Sequence, residues 1–124
     1  MPRSFLDTSA LLKLYDSESG TPVVEEIVDH PDSRTYVSWL GVIEFRSALA
    51  VKVRTGNLDV ETLAQTVDLF RADIDDRLIR VYRGQIDSQS RTAVELVGRF
   101  AVSEGLRTLD SLQLAAGIEL LESG

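Results

Sequence analysis

The chain has 124 residues, 44% of them hydrophobic and 27% charged, and its 20 acidic and 13 basic residues give a formal net charge of −7. These values are typical of one soluble globular domain, and the acidic balance argues against general binding of polyanions unless a divalent cation or a local basic surface offsets it. The absence of cysteine excludes disulfides and thiolate chemistry and fits a cytoplasmic location. We expect neither a membrane span nor a signal peptide, because no apolar run approaches roughly 18 residues.

Short apolar segments with strand character alternate with helical patterns along the chain. Strands are predicted at residues 3–6, 34–37 and 78–82. The predicted helices begin at or near Ser9, Thr21, Trp39, Asp59, Ser88 and Thr108, with Ser9, Thr21, Ser38 and Asp59 as N-caps. This alternation predicts an α/β fold, a short parallel sheet flanked by helices, in a single domain over residues 1–124.

The first predicted strand ends on a carboxylate, Asp7. In an open α/β sheet, ligands bind at the carboxyl ends of the strands, so Asp7 is a candidate active-site residue. The alternative is an acid that only initiates the following helix.

Two further acids lie on helices that are apolar over most of their circumference. Glu44 belongs to the predicted helix at 39–54, which we expect to be mostly buried, and no basic residue stands three or four positions away. Asp110 lies in the first turn of the last helix, on the face of Leu114 and Leu121. A buried carboxylate is costly unless it is paired or bound to a metal. The alternatives are a surface position for Glu44 and simple stabilisation of Asp110 by the helix dipole.

The three acids predict a metal site if the fold brings them together, which their spacing alone does not show. Mg²⁺ or Mn²⁺ would offset their repulsion, because hard cations prefer oxygen ligands. Without cysteine and with His30 as the one histidine, the chain is a poor zinc binder. Carboxylate-bound cations suit phosphodiester hydrolysis.

Three segments resemble the PIN-domain ribonucleases, in particular the VapC toxins of bacterial VapBC toxin–antitoxin pairs. They are Phe-Leu-Asp-Thr-Ser-Ala-Leu at residues 5–11, the stretch from Ser38 through Glu44 to Leu49, and Arg-Thr-Leu-Asp-Ser-Leu-Gln-Leu-Ala at residues 107–115. Their order and separation agree with the family over essentially the whole chain. The resemblance implies a three-layer α/β/α PIN-like domain and an Mg²⁺- or Mn²⁺-dependent endoribonuclease toxin that hydrolyses RNA phosphodiester bonds.

The resemblance also implies residue roles and partners. Asp7, Glu44 and Asp110 take the catalytic and metal-binding places, and Thr8 or Ser9 would supply a hydroxyl. A homodimer and a VapB-type antitoxin that neutralises the toxin are implied as partners, and Tyr15 is expected at one of these surfaces.

One departure from the family is expected at the C-terminal end. The family continues past the last helix into another strand and a fourth acid, for which this chain, ending at Gly124, has no matching position. We therefore expect the C-terminal strand to be missing and a sheet edge to be unpaired. Glu119 and Glu122 do not fit the fourth acid. The alternative function is a catalytically impaired PIN module that binds antitoxin without cleaving RNA.

Overall fold

The computed structural model describes residues 3–16 and 21–123, apart from the side chain of Thr21. Its elements are β1 (Arg3–Leu6), α1 (Thr8–Tyr15), α2 (Thr21–Asp29), β2 (Arg34–Ser38), α3 (Trp39–Arg54), α4 (Val60–Asp75), β3 (Ile79–Tyr82), α5 (Ile86–Glu104) and α6 (Thr108–Glu122). The predicted α/β fold is confirmed. The chain divides into two compact units, Met1–Val81 and Tyr82–Gly124. Within the described ranges, no helix is both long and apolar enough to cross a membrane.

The strands form one short sheet of order β1-β2-β3. β1 and β2 run parallel, as the alternating pattern predicts, and their register places Leu6 opposite Val37. A parallel pair needs a crossover, and α1 and α2 provide it. The carboxyl ends of β1 and β2 therefore share one edge of the sheet, where α1 and α3 begin.

The helix starts show which capping predictions hold. Ser38 and Asp59 are N-caps as predicted, accepting hydrogen bonds from the backbone N–H groups of Gly41 at 2.8 Å and Thr62 at 2.6 Å. The predicted cap at Ser9 is wrong. The N-cap of α1 is Asp7, whose Oδ1 accepts the N–H of Ala10 at 2.9 Å. Aspartate caps as well as serine, and a cap at position 7 lets the helix begin directly after the strand.

The first unit has an apolar core between the sheet and its helices. Its most buried side chains include Leu11, Val37, Phe45, Leu49 and Ile79. Tyr15, Phe45 and Phe70 pack together in it with ring centroids 4.6 to 5.6 Å apart. The hydroxyl of Tyr15 donates to Asp73 Oδ2 at 2.5 Å, and burial raises the pKa of this tyrosine. The ring of Tyr15 therefore belongs to the aromatic cluster of this core, and its expected contact with a partner stays a prediction.

α3 buries one stripe rather than its whole circumference. The stripe consists of Gly41, Phe45 and Leu49, spaced four residues apart. Ile43 and Val51, on other faces, are 57% and 42% exposed. The predicted burial on nearly all sides is wrong, because the elements packed around α3 cover only part of its surface.

The second unit is built from α5 and α6, which pack against each other. The buried positions of α6 are mostly small or polar residues, Ser111, Gln113, Ala115 and Ala116, together with the large apolar Leu120. Gly105, with φ +68°, ends α5 in the left-handed conformation that glycine adopts without steric cost.

Thr35 in β2 provides a test of a buried, unsatisfied polar group. Its side chain is 1% exposed, and its Oγ1 has no hydrogen-bond partner among the described residues. We expect Thr35→Val to raise the free energy of unfolding by about 1 kcal/mol, because a methyl group replaces a hydroxyl that folding desolvates without compensation.

Ser38, in the same strand and equally buried, is the matched control. Its Oγ caps α3, so Ser38→Ala should lower the free energy of unfolding by about 1 kcal/mol. Urea unfolding of both variants measures the contrast. A loss of stability in Thr35→Val would contradict the assignment of an unsatisfied hydroxyl.

Candidate functional site

Asp7 lies where the sequence places it, at the carboxyl end of β1. Its side chain is exposed, and the hydrogen bond from Ala10 N–H fixes one carboxylate oxygen at the start of α1. Thr8, the first residue of α1, is half-buried, and Ser9 is exposed. Asp7 can therefore reach a solvent-borne ligand while it caps the helix.

Glu44 belongs to the same unit and lies in the second turn of α3. It is half-buried, beside the buried stripe residue Phe45. α3 packs against α1, and both helices begin at the sheet edge that Asp7 occupies. Two helix N-termini thus lie at this edge, and their partial positive charge favours bound anions.

Asp110 belongs to the second unit, in the first turn of α6. Its side chain is 58% exposed and lies 3.9 Å from Arg107 Nε, an exposed pair that contributes little to stability. Asp110 shares the apolar face of α6 with Leu114 and Leu121, as predicted, but that face is not buried, because these two side chains are 46% and 68% exposed. α6 instead buries the side that carries its small residues.

A metal ion would need several acidic or imidazole groups in one place. Among residues 3–16 and 21–123, no three histidine, cysteine, aspartate or glutamate side chains form a group that could hold a metal ion. Asp7 and Glu44 lie in the first unit and Asp110 in the second. The meeting of these three acids stays a prediction.

Glu119, which the sequence motifs leave without a role, is the centre of a hydrogen-bond cluster in the second unit. Its Oε1 accepts the hydroxyl of Tyr82 at 2.8 Å, the backbone N–H of Gln85 at 2.8 Å and Nε2 of Gln89 at 3.2 Å. Gln89 also donates to the carbonyl of Arg83 at 2.8 Å. We call Tyr82, Gln85, Gln89 and Glu119 the Glu119 cluster.

The cluster caps α5 from another helix. Gln85 is the N-cap of α5, and its own side chain makes no capping hydrogen bond. Helix N-termini expose N–H groups that need acceptors, and Glu119 supplies one from α6. In the sequence, the one available signal is the absence of Ser, Thr, Asp or Asn at the position before Ile86, which indicates that an acceptor must come from elsewhere.

The cluster makes stability depend on pH through Glu119. Burial opposes ionisation of this carboxylate, but hydrogen bonds, first that from Gln85 and then those from Tyr82, Gln89 and Ser88, outweigh it and hold the pKa of Glu119 below its ordinary value. At acidic pH the unfolded chain therefore binds more protons at Glu119 than the folded chain does. The stability that ionised Glu119 contributes is fully present above its unfolded pKa of about 4.3, and it is lost as the pH falls through the lower pKa of the folded chain.

We expect wild type to lose stability relative to Glu119→Gln as the pH drops from about 5 to 3. Urea unfolding of both proteins across this range measures the difference. Glu122→Gln, which removes an exposed carboxylate from the same helix, is the control. A difference between wild type and Glu119→Gln that stays constant down to pH 3 would contradict the linkage.

No protein-family model matches the chain, and no curated protein matches it significantly. A function for this chain therefore has to be argued from its own motifs and from the geometry around Asp7.

Proposed function

We propose that this chain is a metal-dependent endoribonuclease of the PIN-domain type that acts in the cytoplasm as a VapC-like toxin. The observation that supports this most is the exposed carboxylate of Asp7 at the carboxyl end of β1, beside the parallel strand β2. Ligands bind at this edge in α/β sheets. The motifs that contain Asp7, Glu44 and Asp110 follow one another in the same order as the acidic motifs of PIN-domain ribonucleases.

The carboxylate and hydroxyl oxygens of these residues are the type of donor that a hard divalent cation prefers, although the described residues contain no ready group of three acids. Asp7 is exposed and held in place by Ala10 N–H, and Glu44 is on a helix that starts at the same edge. Asp7, Glu44 and Asp110 would hold Mg²⁺ or Mn²⁺, with Thr8 or Ser9 offering a hydroxyl. Such oxygen donors are the ligands that these ions prefer. When bound, the cation would supply Lewis acidity toward water and the phosphodiester.

The chain's own groups would orient the RNA and move the proton. The N-termini of α1 and α3 would favour the negative charge of a phosphate at the sheet edge. A water oxygen would bond to phosphorus while the bond from phosphorus to the leaving oxygen breaks. One of the three carboxylates would accept the proton of that water, and the leaving oxygen would take up a proton from solvent.

The proposed partners are a second copy of the chain and a VapB-type antitoxin. Each unit has apolar side chains that are mostly exposed, such as Val23 and Val60 in the first and Val94 in the second. Contact with a partner would remove this surface from water. The formal net charge of −7 would suit a basic antitoxin segment.

An RNA cleavage assay with and without metal tests the proposal. We expect cleavage with Mn²⁺ or Mg²⁺, none after chelation by EDTA, and recovery when excess Mn²⁺ is added. Calorimetric titration with Mn²⁺ distinguishes the nuclease from the alternative function, a module that binds antitoxin without cleaving RNA. A chain that binds a VapB-type antitoxin but neither binds millimolar Mn²⁺ nor cuts RNA would be the impaired module and would contradict the nuclease.

A further inference from the structure

The first turn of α6 makes its described contacts within its own segment of chain. The N-cap residue Arg107 makes no side-chain capping hydrogen bond, and its contact with Asp110 is exposed. The hydroxyl of Ser111 donates to the carbonyl of Thr108 at 2.6 Å, inside the same turn. These polar contacts are local; α6 is otherwise held by its packing against α5 and by its buried residues, of which Ser111 lies in this turn.

The other half of α6 is tied to different elements through Glu119. The three donors to its Oε1 come from the last residue of β3, the N-cap of α5 and the first turn of α5. The backbone turn at Gly84 leaves no room beside this oxygen, since a Cβ there would lie 1.8 Å from it. The position of the carboxylate is therefore set on several sides at once.

A helix transmits such a constraint along its length. Asp110 and Glu119 are nine positions apart along α6, a distance of about 13.5 Å at a rise of about 1.5 Å per residue. A rotation or axial shift of α6 at Glu119 would carry the first turn with it. The carboxylate that fixes one end of α6 thus contributes, together with the packing of α5 on α6, to where the other end lies relative to α5.

We propose that Glu119 is a positioning residue that fixes the rotation and axial position of α6, and thereby the place of Asp110. This inference rests on the proposed function, in which Asp110 is a metal ligand. Glu119 itself touches neither metal nor RNA in this scheme.

Two conservative variants separate positioning from simple stabilisation. Glu119→Gln keeps the length of the side chain and an acceptor oxygen, so α6 can stay in register while the charge is lost. Glu119→Asp keeps the charge but shortens the side chain by about 1.5 Å, so the hydrogen bonds form only if α6 moves. Glu122→Asp makes the same change at an exposed position one turn further on and is the control.

The decisive readout is RNA cleavage at a temperature where every variant is folded. We expect Glu119→Asp to lower kcat by about 10²-fold with little change in KM, because misplacement by about 1 Å is enough for such a loss. Glu119→Gln should keep most of the wild-type kcat even where it unfolds more readily. A purely stabilising role would leave kcat of both folded variants at the wild-type value, and that result would overturn the proposal.

Amide hydrogen exchange tests positioning without any nuclease activity. We expect exchange in the first two turns of α6 to be about tenfold faster in Glu119→Asp and unchanged in Glu122→Asp. Unchanged exchange in both would overturn the positioning role. Failure of the proposed function appears separately, as a wild-type chain that cuts no RNA or an Asp7→Asn variant that cuts as well as wild type.

Discussion

Replacing Asp7 with asparagine is expected to lower Mn²⁺-dependent RNA cleavage by about 10²- to 10³-fold. The change removes one negative charge from the proposed metal site, and a bound cation supplies several kcal/mol of transition-state stabilisation. The fold should survive, because asparagine is as good an N-cap as aspartate and its amide oxygen can accept the N–H of Ala10. Cleavage rates at saturating Mn²⁺, with circular dichroism as the check on folding, measure the effect.

Asp59 provides a matched control for this substitution. It is an exposed N-cap like Asp7, but it starts α4, and its Oδ1 accepts the N–H of Thr62. Asp59→Asn should therefore retain wild-type cleavage and folding. Equal cleavage by wild type and Asp7→Asn would contradict the nuclease assignment. An equal loss in Asp7→Asn and Asp59→Asn would show that N-cap chemistry, not metal binding, explains the result.

Gly84→Ala is expected to lower the free energy of unfolding by about 2 to 4 kcal/mol. Gly84 has φ +56°, and an added Cβ would lie 1.8 Å from Glu119 Oε1 and 2.7 Å from atoms of both Gln89 and Tyr82. The left-handed backbone contributes roughly 1 kcal/mol of strain. The Glu119 carboxylate could make room only by giving up its hydrogen bonds, which adds the larger part. Urea unfolding of Gly84→Ala and wild type measures the combined loss in the free energy of unfolding.

Gly105→Ala separates the two contributions to this loss. Gly105 lies in the same unit with a similar φ of +68°, but nothing lies within 4 Å of an added Cβ. Its substitution should show the backbone strain alone, roughly 1 kcal/mol. In a Glu119→Ala background the extra loss at Gly84 should become smaller, because the crowded carboxylate is gone, but the close approaches of 2.7 Å to Gln89 and Tyr82 remain. Equal losses at Gly84 and Gly105 would contradict a close approach between Gly84 and Glu119.

The local chemistry of the chain was readable from its sequence. The alternation of strands and helices, the caps at Ser38 and Asp59 and the position of Asp7 at a strand end all follow from residues a few positions apart. The parallel pairing of β1 with β2 was inferred from that alternation. Helical hydrogen bonds, caps and the period of apolar residues depend on neighbours within about four positions, so a sequence specifies them directly. Even the error at Ser9 was a choice between two good caps two residues apart.

The tertiary structure decided which faces are buried and which distant groups meet. The apolar circumference of α3 and the apolar side of α6 looked alike in sequence, yet burial depends on what packs against each face. Tyr15 donates to Asp73, 58 residues away, and Glu119 accepts from Gln85, 34 residues away. No periodicity encodes such pairs, because chain closure over that distance is set by the packing of whole elements. The role of Glu119 as the acceptor that caps α5 could therefore be recognised only from the packing of α5 against α6.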